Sequence, residues 1–439
     1  MNPHVRGHLA PFVASLLILA GCARPPAAPA ETPPQAQACP PVVPHGARCL
    51  RGQDSAAAHY LIVLPAQWSG VLVVHAHGGP ALGPPQASRA DEDIKRWAIT
   101  VQQGHAWAGS VFRQGGFAVR SAAQDSERVR RIFVDHVAKP RRTLLHGQSW
   151  GAAVAAQAAE LYPASWDGVL LTSGVVAGAS TYDFRLDLRV VYQQVCKNHP
   201  RPDEPAYPLH IGLPKGSALT RAELEHRVDV CLGLRQTAAQ RTSEQARALH
   251  TITSVIRIPA ASIQSHLSWA TWSLQDVVDK VGGASPLGNQ NVRYSGSADD
   301  AALNQAVLRY RPDAAAKARF DADINHAGQF RVPVLTAHGI HDSTVFVESQ
   351  DHLRSRMTAA GTSARLVQTY VDSSEHSYWG DEMYPPLFDA LLAWVEKGAM
   401  PTPRGIADRC RVLAAAAADR CRFVADYVVK PMASRIAPR

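Results

Sequence analysis

Residues 143–156 read TLLHGQSWGAAVAA. A short apolar run ends at Gly147, and an alanine-rich helical stretch begins at Trp150. Between them stands Ser149, with Gly147 and Gly151 two residues to either side, a G-x-S-x-G. At ordinary glycine and serine usage the pentapeptide arises by chance in roughly one chain in eight of this length, so its surroundings decide how it is read. They spell strand, tight turn, helix, the context an exposed serine nucleophile requires. The reason is steric: the turn strains the serine backbone and brings the residues two before and two after it close together. Gly147 and Gly151 fill those positions without a Cβ. Ala152, Ala153, Ala155 and Ala156 keep the following helix slim enough to lie close on a sheet.

Further apolar runs lie at 59–65 (HYLIVLP), 70–77 (GVLVVHAH), 107–112 (WAGSVF), 168–174 (GVLLTSG), 332–339 (VPVLTAHG) and 364–371 (ARLVQTYV). Helix-like segments lie between them at 126–137, 150–162, 346–359 and 386–397. Fully apolar strands alternating with helices predict an α/β fold with a mostly parallel central sheet covered on both faces. The rhythm breaks between 177 and 330, which holds helical patterns at 222–232, 238–255 and 299–310 and the aromatics Tyr182, Phe184, Tyr192, Trp269, Trp272 and Tyr294. A structureless loop of that length is improbable, so this stretch is expected to be a large, mainly helical cap.

A nucleophilic serine needs an oxyanion hole, a base and a group to orient the base. One oxyanion donor is the backbone N–H of Trp150. The other is expected from His77-Gly78-Gly79-Pro80, directly after an early strand; Pro80 has no N–H, so Gly79 or Gly78 must donate. In the chain order serine, acid, histidine, Asp342 follows the run at 332–339 and His376 follows the run at 364–371. His376 then takes the Ser149 proton and Asp342 holds the imidazole. Asp372 and Glu375 are the fallback acids, and His146 and His341 are read as supporting or structural. His75 and His77 lack the partner motif of a metal site, so no metal and no cofactor is expected.

Four ordered pieces, H-G-G-P, G-x-S-W-G, H-G-x-x-D and a late histidine, make the chain resemble the α/β-hydrolase superfamily over about 57–400, with the cap inserted. H-G-G-P, G-Q-S-W-G and the following Tyr162-Pro163 are similar to proline iminopeptidases, which continue the first loop with glycine where Ala81 stands here. The large cap and LLAWVEKGAMPTP at 391–403 resemble secreted esterases of the tannase and feruloyl-esterase kind. Those carry cysteines flanking the serine and histidine, and this chain has none there, so neither family's substrate-binding residues carry over. The resemblance implies a serine ester hydrolase acting through an acyl-enzyme on a small-molecule ester. A proline iminopeptidase-like aminopeptidase and a non-catalytic surface lipoprotein on a hydrolase scaffold are the alternatives.

The 439 residues are 46% hydrophobic and 19% charged, ordinary for a large folded core. The net charge of +8 is scattered apart from a cluster at 128–142, with no aromatic-interleaved basic stripe, so no nucleic-acid partner is expected. Near the N-terminus, Arg6 precedes an apolar run at 9–20, shorter than the ~20 residues a membrane-spanning helix needs. Its layout is that of a secretory signal. Leu19-Ala20-Gly21-Cys22 resembles the lipobox of bacterial lipoproteins, which implies removal of 1–21 and a lipid on Cys22 holding the protein to a cell-envelope membrane. Residues 22–38 then form a Pro/Ala-rich tether, followed by core (39–176), cap (177–330), core (331–400) and a C-terminal extension (401–439). Six further cysteines, Cys39, Cys49, Cys196, Cys231, Cys410 and Cys421, suit disulfides in an exported protein and allow 15 connectivities. Pairing sequence neighbours is the simplest of them. Cys410 with Cys421 then requires the chain to turn, since eleven residues of straight helix would separate them by about 16 Å. Oligomeric state is not legible in the sequence.

Overall fold

The structure is a computed structural model that describes Met1 and residues 30–439. The leader at 1–21 (Met1 apart) and the lipidation candidate Cys22 lie outside the described residues. Ten strands form one sheet: β1 (Gln35–Gln37), β2 (Arg48–Gln53), β3 (His59–Leu64), β4 (Val71–Ala76), β5 (Ala106–Ser110), β6 (Arg142–Gln148), β7 (Gly168–Thr172), β8 (Val334–Gly339), β9 (Leu366–Val371) and β10 (Phe423–Val424). Their order is β1-β2-β3-β5-β4-β6-β7-β8-β9-β10. From β5 across to β9 every neighbour is parallel; β1 to β3 and β10 add antiparallel edges. β4, β5, β7 and β8 are buried along their whole length and β6 from Thr143 onward, as strands covered on both faces must be.

The helices are α1 (Arg89–Gln102), α2 (Val119–His136), α3 (Trp150–Leu161), α4 (Ser180–Cys196), α5 (Arg221–Leu232), α6 (Ser243–Ile256), α7 (Ile263–Ser268), α8 (Leu274–Lys280), α9 (Asp300–Ala306), α10 (Ala314–Ile324), α11 (Ser349–Ala359), α12 (Pro385–Lys397) and α13 (Pro403–Ala414). Strand alternation assigns them to layers. Val71 and Val73 of β4 pack with Trp97 of α1, Phe388 of α12 and Ile406 of α13. Leu72, Val74 and Ala76 face the opposite layer, with Phe133 of α2, Ala155 of α3 and Leu353 of α11. Each Val, Leu, Ile or Phe among them, when fully buried, contributes about 1.5–3 kcal/mol. This is an α/β-hydrolase fold with a large helical cap, which enters between β7 and β8 as α4 to α10.

The cap shares one continuous apolar cluster with the α2–α3 layer, through Leu224, Val228, Ile252 and Leu267. Polar joints reinforce it. Asp323 of α10 accepts from the N–H groups of Val119 and Arg120 at the start of α2, at 2.8 and 3.0 Å. Those donors have no intrahelical partner, and the acid suits the positive end of the helix. Beyond β10 the chain runs back across the cap–core boundary. Met432 N–H donates to Asp351 (3.1 Å), Arg435 pairs with Glu348 (3.0 Å) and reaches the carbonyl of Arg257, and Arg439 pairs with Asp183 (3.0 Å) and Asp187 (2.9 Å) of α4.

Several boundaries differ from those read in the sequence. The tether range ends in the sheet, because Gln35–Gln37 pair with β2, whose Cys49 is bonded to Cys39. The helical pattern read at 238–255 starts only at Ser243, where Thr242 and Gln245 form a capping box. That read at 299–310 stops at Ala306, where Val307 turns extended. Cys196 is bonded to Cys231 and Cys410 to Cys421. The last bridge is reached because α13 ends at Ala414 and Ala415 reverses the chain with a φ of 44°. The basic cluster is largely neutralised: Arg128 pairs with Asp54 and Asp125, Arg130 with Glu127, Arg131 with Glu31 and Arg141 with Glu396.

The bridge between Cys196 and Cys231 closes 35 residues of the cap. Replacing both cysteines by serine is expected to loosen α4 to α6 by roughly 3–4 kcal/mol. The measurement is amide hydrogen exchange, faster in those helices and unchanged in β4 to β8.

Candidate active site

Ser149 stands between β6 and α3 with φ 58° and ψ −123°, in the region that L-residues other than glycine rarely occupy. Three backbone hydrogen bonds hold it there. Ser149 N–H donates to Thr172 O (3.0 Å), and Ser149 O accepts from Ala152 (3.0 Å) and Val175 (2.9 Å). The flanking glycines are a steric necessity: a Cβ on Gly147 would collide with the carbonyl of Gly151, and one on Gly151 with the carbonyls of Ala76 and His77.

The structure brings Ser149, His376 and Asp342 together. Ser149 Oγ lies 2.7 Å from His376 Nε2, and His376 Nδ1 lies 2.6 Å from Asp342 Oδ2. An ionised carboxylate can only accept, so Nδ1 carries the proton and Nε2 is free to accept from the serine hydroxyl. Asp342 is fully buried, and its other oxygen accepts from the N–H groups of Thr344 (2.8 Å) and Val345 (3.1 Å). These bonds fix the carboxylate before any substrate arrives. The fallback acids face elsewhere, Asp372 toward His341 (3.2 Å) and Glu375 toward Arg422 (3.2 Å). His146 lies deeper, between His75 (3.1 Å) and Thr172 (3.0 Å).

The loop at 77–80 packs against the serine: a Cβ on Gly78 would sit 3.2 Å from that of Ser149. The Gly78 carbonyl accepts from His77 Nδ1 (2.7 Å) and Arg89 Nη2 (3.2 Å). Since C=O and N–H point oppositely across a trans peptide, this pinning also fixes the direction of the Gly79 N–H. Among the described residues, neither that N–H nor the Trp150 N–H has a protein acceptor. Arg89 itself is held by Asp93 at 3.0 Å. Beside the loop opens a cavity of about 230 Å³, lined by His77, Pro80, Leu82, Phe112 and Trp150. His77 stacks on Phe112 at 4.2 Å and Phe112 meets Trp150 edge-on at 6.0 Å, so this wall is aromatic.

On the cap side, Tyr182 stacks on Trp269 at 4.6 Å and is fully buried. His266 Nε2–H donates to Ser343 O (2.8 Å), one residue from Asp342. Burial pushes the His266 imidazole down to about 3, with the charges of Arg185 and His376 adding to the effect. Burial alone brings His146 to about 3. Sequence reasoning did not find Arg89, Gln148 (whose Nε2 donates to His376 O at 3.4 Å) or the Arg185–His266 pair. Only Gln148 lay inside a motif.

No family model and no curated protein matches the sequence. Among solved structures the chain is similar to feruloyl esterase B from Aspergillus oryzae, at 14% identity over 84% of this chain and 86% of that one, with a TM-score of 0.43. It is similar to an esterase from Aspergillus oryzae at 15% identity over 81% and 80%, TM-score 0.43. The thermostable carboxylesterase EstE1, cloned from a metagenomic library, matches at 12% identity over 81% and 90%, TM-score 0.40. Likenesses this loose transfer no activity.

His146 and His266 stay neutral in the fold, yet on unfolding regain the ordinary imidazole value of 6.5. The unfolded chain therefore binds more protons below 6.5, and stability falls with pH from there until both protonate in the fold near 3. Each should withdraw on the order of 1 kcal/mol by pH 6. Asp183, raised to about 6 by burial, opposes the trend at lower pH. Thermal unfolding between pH 7 and 6 checks this, with a lower melting temperature expected at pH 6.

Proposed function

We propose that the protein is a serine hydrolase that cleaves carboxylic esters. The observation that carries the reading is the unbroken relay from Ser149 Oγ through His376 to the buried Asp342, at 2.7 and 2.6 Å. Ser149 attacks the ester carbonyl carbon as His376 Nε2 takes its proton, and Asp342 stabilises the imidazolium. The carbonyl oxygen, now negative, is held by the N–H groups of Gly79 and Trp150; Gly78 packs against the serine, and Arg89 keeps the loop in register. His376 returns the proton to the leaving alcohol. Water, deprotonated by the same imidazole, then attacks the acyl-enzyme and releases the acid. The aromatic cavity of about 230 Å³ suits one modest apolar group of the substrate.

An aminopeptidase needs a cap carboxylate free to bind the substrate's amine. Three acids of the cap, Glu223, Glu225 and Asp276, are already engaged. Glu223 pairs with Arg227 (2.9 Å) and Arg201 (2.7 Å), Glu225 with Arg235 (3.3 Å), and Asp276 with Lys280 (3.2 Å) and the Phe117 N–H (2.6 Å). This favours the ester over the amine.

Purified protein should be labelled by a fluorophosphonate at Ser149 and should hydrolyse 4-nitrophenyl esters. Ser149→Ala should abolish both while melting normally, and His376→Ala should lower kcat by about 10³-fold or more. Near-normal turnover in His376→Ala, or folded protein that takes no label, would overturn the reading.

We propose further that the mature chain begins at Cys22, held to a cell-envelope membrane by lipid on that residue; among the described residues no helix is long and apolar enough to cross a membrane. Mass spectrometry of the N-terminal peptide is expected to find acyl chains on Cys22. An unmodified cysteine on the mature protein would exclude the anchor.

A further inference from the structure

Helix α4 carries its charges on two faces. Asp183 and Asp187 pair with Arg439. Arg185 and Arg189 turn the other way, into the cap, and among the described residues neither meets a carboxylate. Arg189 is nonetheless satisfied at both terminal nitrogens, by Thr271 Oγ1 and Tyr207 Oη at 2.7 Å each. It also reaches the carbonyl of Ala270 in the π-helical turn Trp269–Ser273. Its role is to hold that turn.

Arg185 is different. It is 5% exposed. Its Nε reaches His266 Nδ1 at 3.5 Å and its Nη1 reaches Thr181 O at 3.4 Å, both at the outer limit of a hydrogen bond. Its Nη2 has no protein partner among the described residues. The rings of Trp269 (4.6 Å), Tyr182 (5.1 Å) and Phe184 (5.1 Å) frame the guanidinium. Burial lowers its pKa only to about 10, so it remains a cation at neutral pH. Aromatic faces offset part of the cost of burying it, but an unpaired buried ion is still costly.

Its position gives that cost a use. On one side His266 links Arg185 to Ser343, the residue after Asp342. On the other, it faces the ring of Tyr182, which stacks on Trp269. Arg185 thus lies one hydrogen-bonded step, through His266, from the loop that carries Asp342. It is also about as accessible as the reacting serine, at 5% against 8%.

We propose that Arg185 is a substrate-binding residue that recognises a carboxylate, and that the preferred substrate is an ester bearing a second, ionised carboxyl group. This rests on the hydrolase reading above. A guanidinium edge accepts a carboxylate in a fork of two hydrogen bonds, strong where water is excluded. One unpaired cation balances one negative charge, and the surrounding rings suit an apolar or aromatic body between the two carboxyl carbons.

Two measurements test it. The first compares mono-4-nitrophenyl glutarate, an anion, with its neutral methyl ester. The unmutated enzyme should favour the anion by about tenfold or more in kcat/KM. In Arg185→Gln that preference should be lost, a fall of about tenfold or more, mainly through KM, with Arg185→Lys intermediate. Equal rates on both esters in the unmutated enzyme, or a preference that survives Arg185→Gln, would overturn the proposal. The second is independent of turnover: calorimetric titration of Ser149→Ala with benzoate and with benzamide. Benzoate should bind more tightly, and the difference should vanish in Ser149→Ala with Arg185→Gln. Arg185-dependent benzoate binding in a protein that hydrolyses no ester would sustain the anion site and sink the hydrolase reading. Ester hydrolysis with no advantage for benzoate would do the reverse.

Discussion

The backbone of one residue organises this molecule. Ser149 is held at φ 58°, a conformation that costs on the order of 1–3 kcal/mol. Such strain persists only where its surroundings leave no alternative. Here β6 delivers the chain, β7 accepts the Ser149 N–H through Thr172, and α3 starts one residue later against the carbonyls of Ala76 and His77. Those two carbonyls lie at the end of β4, which leads into the 77–80 loop. The strained serine, the loop beside it and the helix behind it are therefore a single packing solution. No one of them can shift without disturbing the other two.

The same economy governs the polar groups around it. Asp342 accepts from two backbone N–H groups as well as from His376, and His266 is kept neutral by burial so that it can donate to Ser343 and accept from Arg185. Each hydrogen bond near the serine fixes the orientation of a group that touches the next. The 77–80 loop is controlled in this way from a distance: Arg89 and His77 hold the Gly78 carbonyl, and the rigid peptide passes the constraint to Gly79.

Much of this was legible in the sequence, and for physical reasons. The buried strands are uniformly apolar because both faces are covered, and Gly147 and Gly151 are glycine because no Cβ fits. Ser149, Asp342 and His376 could be named because each follows a recognisable strand in a fixed order. Arg89 could not: it opens a helix reading RADEDIKRWAITVQ, where one more arginine looks like solvated surface. Arg185 was hidden in the same way among the charges of STYDFRLDLRVVYQQVC. Which face of α4 turns inward depends on contacts with segments some 80 and more residues away, His266, Trp269 and Arg439. The edge strand β1 was missed because Gln-Ala-Gln has no apolar alternation and is aligned by its neighbours.

The segment beyond β10 bears on how the cap behaves. It touches the core at Asp351 and Glu348 and the cap at Arg257, Asp183 and Asp187. Together with Asp323 and Asp276, which accept from core backbone N–H groups, it fastens the cap at several points. A cap secured in that manner moves with the core as one body, not on a hinge at β7 and β8, the strands between which it enters.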